Sequence, residues 1–394
     1  MRGNPSTNEI LMGYQRIDTL TGLRFYAALV VVILHVTRYY APVPVISELF
    51  APGSVGVSFF FILSGFVLAW SKQENLPVSD FYRNRFARVY PLHLVTWVIA
   101  AILIVIDGVQ LNIWAGIASL LLVQAWVPFQ SFYFAMNGPS WSLAAEGFFY
   151  AVFPWVSGHM SRASPRRLLH LILALYVAIA AITLVLHILL RGGPTVAFLY
   201  VNPAYRLWEF VVGIAIALAV RKGWRVRLRL PVALVATVIA FVLTSVVNFL
   251  IVNKIGPVAE LEMKSLPADI ASLALVPFFG LLIASAVTAE LHGHRSHLNS
   301  PTMIRLGKWS FALYLVHLLL VQLLLPLTPR DLPWTASTLL AIATIGAAIG
   351  IAGLMYRYIE HPLESRLRTP RRRLNPEALH GPEAAGIRGE ATIV

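Results

Sequence analysis

The chain has 394 residues, 58% of them hydrophobic and only 12% charged, which is too apolar for a soluble globular protein. Its net charge of +13 lies in short segments between apolar runs, as the positive-inside rule predicts, so we expect contact with membrane lipid and not with nucleic acid. The absence of cysteine excludes a disulfide framework, a catalytic thiol and a thiolate metal site. We predict an all-α, polytopic membrane helix bundle.

The first apolar run, residues 20–40, follows a polar tail at 1–19. The run is helix-length and lacks a small-residue cleavage site, so we expect a retained anchor and not a cleaved signal peptide. It contains Arg24 and His35, which an α-helix would separate by roughly 16 Å along its axis. Ionisable side chains in a membrane segment are costly and indicate a functional site. Taken singly, Arg24 could instead snorkel to the interface and His35 could be a core histidine bonded to a carbonyl group.

The next two spans are predicted at 54–71 and 89–106, with Arg83, Arg85 and Arg88 just before the second of them. We expect these arginines to crowd one face of a helix entrance and to place this loop in the cytoplasm. Guanidinium groups bind phosphate oxygens bidentately, so the cluster suits a phosphorylated ligand. Anionic lipid headgroups are an alternative partner.

Seven further spans are predicted at 141–158, 168–190, 204–220, 231–252, 268–288, 306–327 and 334–356. Basic loops lie in the cytoplasm under the positive-inside rule, so the chain must cross the membrane an even number of times between one basic loop and the next. A span at 112–128 would make that number odd, so this apolar segment is expected to be re-entrant or interfacial. The prediction is about ten spans with both termini cytoplasmic, whereas eleven spans would place some basic loops outside. One membrane domain at 20–364 would then be followed by a basic, then disordered, cytoplasmic tail at 365–394.

Several polar side chains lie within or at the mouth of the apolar segments. They are Arg24, His35, Ser64, Glu146, Glu209, Ser310 and His317. Lipid cannot satisfy such groups, so together they indicate a polar site inside the bundle. A neutral histidine acts best as a general base when an acceptor holds its second ring nitrogen, and Glu146 is the candidate for that acceptor. Beside Ser64, Gly65 would let another backbone or a ligand approach closely.

Motifs for other chemistries are absent from the sequence. There is no G-x-x-x-x-G-K-[ST] loop for ATP-driven transport and no G-x-S-x-G elbow of a serine hydrolase. The His-rich stretch HGHRSH at 292–297 lies in a basic loop without carboxylates. We therefore predict no metal site.

Seven blocks in chain order resemble the acyltransferase family 3 membrane proteins, which O-acylate bacterial surface polysaccharides and some antibiotics. The first block is the pair Arg24 and His35, which matches the family's R-x10-H signature. The other blocks are SFFFILSGFVL at 58–68, RFARVYPLH at 85–93, PSWSLAAEGFFYAVFP at 139–154, YRLWEFVVG at 205–213, KWSFALYLVH at 308–317 and YRYIEHPLE at 356–364. The resemblance covers residues 16–364 and implies a ten-helix membrane domain. It also implies a stand-alone enzyme without the esterase-like domain that many members have.

The resemblance implies roles for the matching residues. His35 corresponds to the catalytic histidine and Arg24 to the invariant basic position. Arg85 and Arg88 match the family's cytoplasmic R-x-x-R pair, proposed to receive the phosphates of acyl-CoA. We expect Arg24, Arg85 and Arg88, together with Arg83, to bind this donor.

Glu146 matches the acid of the family's W-S-L-x-x-E block and joins His35 as a predicted catalytic residue, although Gly147 follows it where the family commonly has a polar residue. The implied activity moves an acyl group, above all acetyl, from acyl-CoA to a hydroxyl of a glycan, glycolipid or glycosylated metabolite at the bacterial inner membrane. Acyl-CoA is then a co-substrate, and no permanently bound cofactor is expected. His35 would either remove the acceptor's proton or be acylated first. The alternatives are a secondary transporter or flippase with a proton relay, and a non-catalytic scaffold.

Overall fold

The computed structural model describes residues 16–40, 44–73, 76–190, 194–257, 263–329 and 332–369. Within these ranges the regular structure is helical throughout, and no strand occurs, which confirms the predicted all-α class. Most of the two predicted tails, residues 1–15 and 370–394, lies outside the described part of the chain.

The helices of the described residues are numbered here in chain order. They are α1 Asp18–Tyr40, α2 Pro44–Phe50, α3 Gly56–Trp70, α4 Val78–Ile106, α5 Ile113–Leu120, α6 Gln130–Tyr133, α7 Trp141–Met160, α8 Pro165–Leu190, α9 Pro194–Val201, α10 Pro203–Arg221, α11 Leu230–Val252, α12 Ala268–Leu291, α13 Pro301–Leu324, α14 Trp334–Met355 and α15 His361–Leu367. A five-residue π-helix, Tyr356–Glu360, joins α14 to α15.

Nine helical spans in the described ranges are long and apolar enough to cross a membrane, so the protein is a multi-pass membrane helix bundle. The predicted span at 141–158 is α7, a 20-residue helix that is not among the nine. Its ionisable residues Glu146 and His159 make it less apolar. The segment 112–128 contains α5, which has 8 residues, and a 3₁₀ turn at Gln124–Trp126, so it does not cross as one helix. This confirms that the segment is not a regular span.

Helix α4 begins at Val78, well before the predicted span at 89–106. Asp80 lies in its first turn, where a carboxylate interacts favourably with the helix N-terminus. The three arginines at 83–88 therefore lie near the start of α4, as predicted for a helix entrance, but they are part of the helix and not of a loop before it.

Helices α3 and α10 pack closely at the centre of the bundle. A Cβ atom at Gly65 would lie 2.0 Å from the carbonyl oxygen of Phe210, and one at Gly213 would lie 1.9 Å from that of Ile62. These pairings require antiparallel helices whose backbones touch, which small residues permit in membranes. The close approach predicted at Gly65 is confirmed, and the approaching backbone is that of α10.

Helices α1 and α13 run parallel. A Cβ atom at Gly307 would lie 1.8 Å from the carbonyl oxygen of Thr21 near the start of both helices. Toward their ends, His35 of α1 contacts His317 of α13. The position of α13 beside α1 therefore sets the surroundings of His35.

The start of α1 is fixed by another helix. The carboxylate of Glu290, in the last turn of α12, accepts hydrogen bonds from the backbone N–H groups of Asp18 and Thr19, each at 2.8 Å. Two of the N–H groups that a helix start leaves without partners are thereby satisfied. This contact places the Arg24 end of α1 against α12.

Candidate active site

A cavity opens where α1, α3, α4, α7 and α13 meet. It holds about 850 Å³ of space free of protein atoms, including open solvent at its mouth. Its polar lining includes Arg24, Ser64, Arg85, Arg88, Glu146 and Tyr150. Its apolar lining includes Val57, Phe60, Leu63, Val67, Val89 and Phe311. Such a cavity suits a ligand that has both an anionic group and an apolar part.

Arg24 and Arg85 face this cavity with unused hydrogen-bonding capacity. The Nε atom of each is buried and has no hydrogen-bond partner among the described residues. The guanidinium group of Arg85 lies 5.9 Å from the ring centre of Tyr150 and 6.0 Å from that of Phe81, contacts that orient the charge without neutralising it. Because a buried charge is costly unless it is paired, both arginines are suited to an anionic ligand.

Arg88 is paired within the protein. Its Nη1 atom forms ion pairs with Glu360 of the π-helix and with Glu364 of α15, the latter at 2.9 Å. Its guanidinium group also lies 5.6 Å from the ring centre of Phe311. Arg88 therefore fastens α4 to the end of α14 and to α15, whereas Arg85 keeps its charge available to the cavity.

Arg83 lies outside the cavity. It is exposed, and its Nε atom donates to the carbonyl oxygen of Leu367 at 2.8 Å. Residues two positions apart on a helix point about 200° apart, so Arg83 and Arg85 cannot share a face. The predicted grouping of all three arginines on one face was wrong for this reason.

Glu146 lies at the cavity and not beside His35. Its Oε1 atom accepts hydrogen bonds from the hydroxyl of Ser64, at 2.9 Å, and from that of Tyr150. The hydrogen bonds of His35 go to other groups. Glu146 as the acceptor for His35 was therefore a wrong prediction, because α7 presents this carboxylate to α3 and α4.

The partner of His35 is His317. The Nδ1 atom of His35 lies 3.3 Å from Nε2 of His317 and 2.9 Å from the carbonyl oxygen of Val31. The Nδ1 atom of His317 lies 3.2 Å from the carbonyl oxygen of Leu313. His317 is fully buried and His35 is half-buried. Neither histidine lines the cavity, so the arginines and the histidines form two separate parts of the site.

Tyr314 connects the two parts. It lines the cavity, and its ring centre lies 6.0 Å from that of His317, one turn farther along α13. Its hydroxyl is 2.9 Å from the hydroxyl of Ser142 and donates to the carbonyl oxygen of Pro139 at 3.1 Å. Tyr314 is thus fixed between the cavity and the histidine pair.

Sequence reasoning missed Arg206, which is 1% exposed and belongs to a second buried polar cluster. Arg206 pairs with Glu209 at 3.0 Å and donates to the hydroxyls of Ser58, at 2.9 Å, and Ser272, at 3.3 Å. The cluster joins α3, α10 and α12. None of its four residues lines the cavity, although the guanidinium group of Arg206 lies 5.4 Å from the ring centre of Phe61, which does. The i,i+3 spacing of opposite charges in an apolar span was the signal that could have revealed it.

No group of three or more potential metal ligands comes together among the described side chains. In the His-rich stretch at 292–297, the Nδ1 atom of His292 lies 2.6 Å from the carbonyl oxygen of Thr288, at the end of α12. This contact is local to the helix terminus.

The described residues define a polytopic helical membrane protein with an arginine-lined cavity and a neighbouring histidine pair. The acyltransferase family 3 domain, described as "Acyltransferase domain", matches residues 17–357. Because this match covers most of the chain, the protein belongs to acyltransferase family 3 and is an acyltransferase. Membership in an enzyme family argues against the transporter and scaffold alternatives.

Three relatives illustrate the range of similarity. Acyltransferase MdmB of Streptomyces mycarofaciens is 34% identical over 374 residues, which cover 88% of this chain and 91% of the relative. Exopolysaccharide production protein ExoZ of Rhizobium meliloti is 27% identical over a match that covers 82% of this chain and 93% of the relative. Peptidoglycan O-acetyltransferase OatA of Listeria monocytogenes is 24% identical, and the matched part is 88% of this chain but 56% of the relative. No solved structure matches the chain.

Proposed function

We propose that the protein transfers an acetyl group from acetyl-CoA to a hydroxyl of a carbohydrate-containing acceptor at the bacterial inner membrane. One observation supports this most directly: Arg24 and Arg85 present buried, unpaired Nε atoms to a cavity at one end of α1, and His35 lies toward the other end. The phosphates of CoA are anions of the kind that guanidinium groups bind. The names of two relatives, a peptidoglycan O-acetyltransferase and an exopolysaccharide production protein, favour an acetyl donor and a glycan acceptor.

In this proposal the donor binds along α1. Arg24 and His35 are roughly 16 Å apart along the helix axis. The extended pantetheine arm of CoA would lie along this path. Apolar groups such as Phe60 and Leu63 line the cavity beside this path. Arg24 and Arg85 would bind the phosphates, while Arg88 would hold the end of the bundle beside the cavity.

His35 is the proposed catalytic residue. In direct transfer, its ring nitrogen removes the proton of the acceptor hydroxyl, the oxygen bonds to the acyl carbon, and CoA leaves as the thiol after receiving that proton. In the two-step route, the ring nitrogen attacks the acyl carbon first and CoA leaves as the thiolate. The acceptor oxygen then displaces the imidazole, and its proton passes to the thiolate or to water. Glu146 lies close enough to Arg24 and Arg85 to interact with their charges, so we propose that it organises the donor end of the site.

The proposal is tested with purified full-length protein and radiolabelled acetyl-CoA. Release of CoA and transfer of label to a glycan acceptor are expected for the parent protein. His35→Ala should reduce both by a factor on the order of 10²–10⁴, because it removes the general base or nucleophile. His159→Ala removes an exposed histidine of α7 and should leave turnover unchanged. Normal turnover by His35→Ala would refute the proposal, and label retained on the parent protein but not on His35→Ala would favour the two-step route.

A further inference from the structure

The histidine pair differs from two other histidines in long helices, His159 and His187. In His159 and His187, Nδ1 lies 2.9 Å from the carbonyl oxygen four residues earlier. His35 makes the same local contact with Val31 at 2.9 Å. In addition, His35 alone among these three has a second histidine on its Nδ1 atom, at 3.3 Å. The local contact is therefore ordinary helix geometry, and His317 is the distinguishing feature.

The neighbours of His317 define its proton position. Its Nδ1 atom faces the carbonyl oxygen of Leu313, which only accepts hydrogen bonds, so the Nδ1 atom holds the proton. A neutral imidazole protonated on Nδ1 has a lone pair on Nε2. That lone pair faces His35, so His317 acts as an acceptor toward it.

The same reasoning fixes His35. Its Nδ1 atom faces two acceptors, the carbonyl oxygen of Val31 and Nε2 of His317, so Nδ1 is the protonated nitrogen. Its Nε2 atom then has the free lone pair. No hydrogen bond joins Nε2 to the described residues, and the residue as a whole is half-buried.

We propose that His317 is a positioning residue that holds His35 with its proton on Nδ1 and its Nε2 atom unprotonated. This inference rests on the proposed function, and it serves both chemical routes. In direct transfer, Nε2 takes the acceptor's proton and passes it to the departing CoA sulfur. In the two-step route, the lone pair of Nε2 forms the bond to the acyl carbon as the bond from that carbon to sulfur breaks. His317 accepts the hydrogen bond from Nδ1 of His35, as the carboxylate does for the histidine of a Ser-His-Asp triad, but as a neutral group it adds no charge to the bundle.

The burial of His317 explains how it can do this. It is 0% exposed, and its ring packs on His35 with ring centres 5.1 Å apart and on Tyr314 at 6.0 Å. A ring packed on two sides and bonded at both nitrogens has one orientation. His317 therefore limits the rotation of the half-buried ring of His35.

The test uses the full-length protein in detergent with ¹⁵N-labelled histidine. The ¹⁵N shifts of protonated and unprotonated ring nitrogens differ, and the His35 signals are assigned by their absence in His35→Ala. The parent should show His35 protonated on Nδ1. A parent protein with the proton of His35 mainly on Nε2 would overturn the proposal without any variant at position 317.

Two variants at this position extend the test. His317→Leu removes the hydrogen-bond acceptor of the His35 Nδ1 atom. We expect kcat to fall about tenfold and not further, because the contact with Val31 remains. The KM for acetyl-CoA should be unchanged. The His35 signals should then show a mixture of the two protonation patterns. His317→Gln offers an amide oxygen as acceptor and should recover part of kcat and the parent pattern. His159→Leu is the matched control and should change neither quantity.

The outcomes separate this inference from the proposed function. If His35→Ala retains turnover, the proposed function fails. If His35→Ala is inactive but folded His317→Leu keeps the parent kcat and the parent ¹⁵N pattern, the positioning role of His317 fails and the proposed function stands.

Discussion

The two ends of α1 are built differently. At the Arg24 end, the cavity contains arginine atoms with no partner among the described residues. At the other end, His35 is held by Val31 and by the buried His317. Unpaired charge suits the binding of an anionic ligand, whereas a ring fixed in orientation suits proton or acyl transfer. The difference indicates that donor binding and chemistry are separated along one helix and must be kept in register by it.

Exchanging two neighbouring residues of α1 should break this register with the largest effect. The swap Leu34→His with His35→Leu conserves composition but turns the imidazole by about 100° around the helix axis. We expect turnover to fall nearly as far as in His35→Ala, by a factor on the order of 10²–10⁴. Acetyl-CoA turnover is the measurement, and activity within tenfold of the parent would show that the orientation of the histidine is not critical.

Removing Arg88 should affect stability first. Arg88→Ala leaves Glu360, which is 2% exposed, without its partner, and breaking a buried ion pair in this way costs about 3–5 kcal/mol. Adding Glu360→Gln should restore part of the loss, because it removes the unpaired charge. Thermal unfolding in detergent measures both variants. An unchanged unfolding midpoint in Arg88→Ala would mean that this arginine is available to ligands after all.

Arg85 should show the opposite behaviour. Arg85→Ala should raise KM for acetyl-CoA by about 10–100-fold, the range expected for lost charge-assisted hydrogen bonds, with little change in the unfolding midpoint. Arg83→Ala, which removes an exposed side chain bonded to Leu367, should change KM by less than about twofold. Steady-state kinetics with varied acetyl-CoA measure both. Equal effects of the two variants would contradict the separation of these arginines by the helix.

The contact between α1 and α13 gives the smallest predicted effect. Gly307→Ala would place a Cβ atom 1.8 Å from the carbonyl oxygen of Thr21, so the helices must move apart, at a cost of about 1–3 kcal/mol. Gly346→Ala, in α14, meets no atom within 4 Å and is the control. We expect a lower unfolding midpoint and reduced kcat for Gly307→Ala only. Similar behaviour of both variants would show that this contact does not set the position of His35.

Sequence reasoning predicted those features that depend on one helix at a time. Arg24 and His35 share α1 as expected, and most spans were found from apolar length. The spacing of Arg85 and Arg88 also placed both at the cavity, since residues three apart lie on neighbouring faces.

The failures concern contacts between helices distant in the sequence. Glu360 is separated from Arg88 by 272 residues and His317 from His35 by 282, so no local pattern could pair them. His317 was recognised as a costly polar residue, but Glu146 was preferred as the partner of His35. Periodicity shows which face of a helix is polar, and only the packing of the bundle shows which helix meets that face.

Acetyl-CoA binding by calorimetry tests the separation of donor binding from chemistry most directly. We predict that His35→Ala binds acetyl-CoA within about twofold of the parent Kd, because the imidazole lies outside the arginine-lined cavity. Arg85→Ala should weaken binding by about tenfold or more. If His35→Ala weakened binding as much as Arg85→Ala, or if Arg85→Ala bound normally, the assignment of the two ends of α1 would be contradicted.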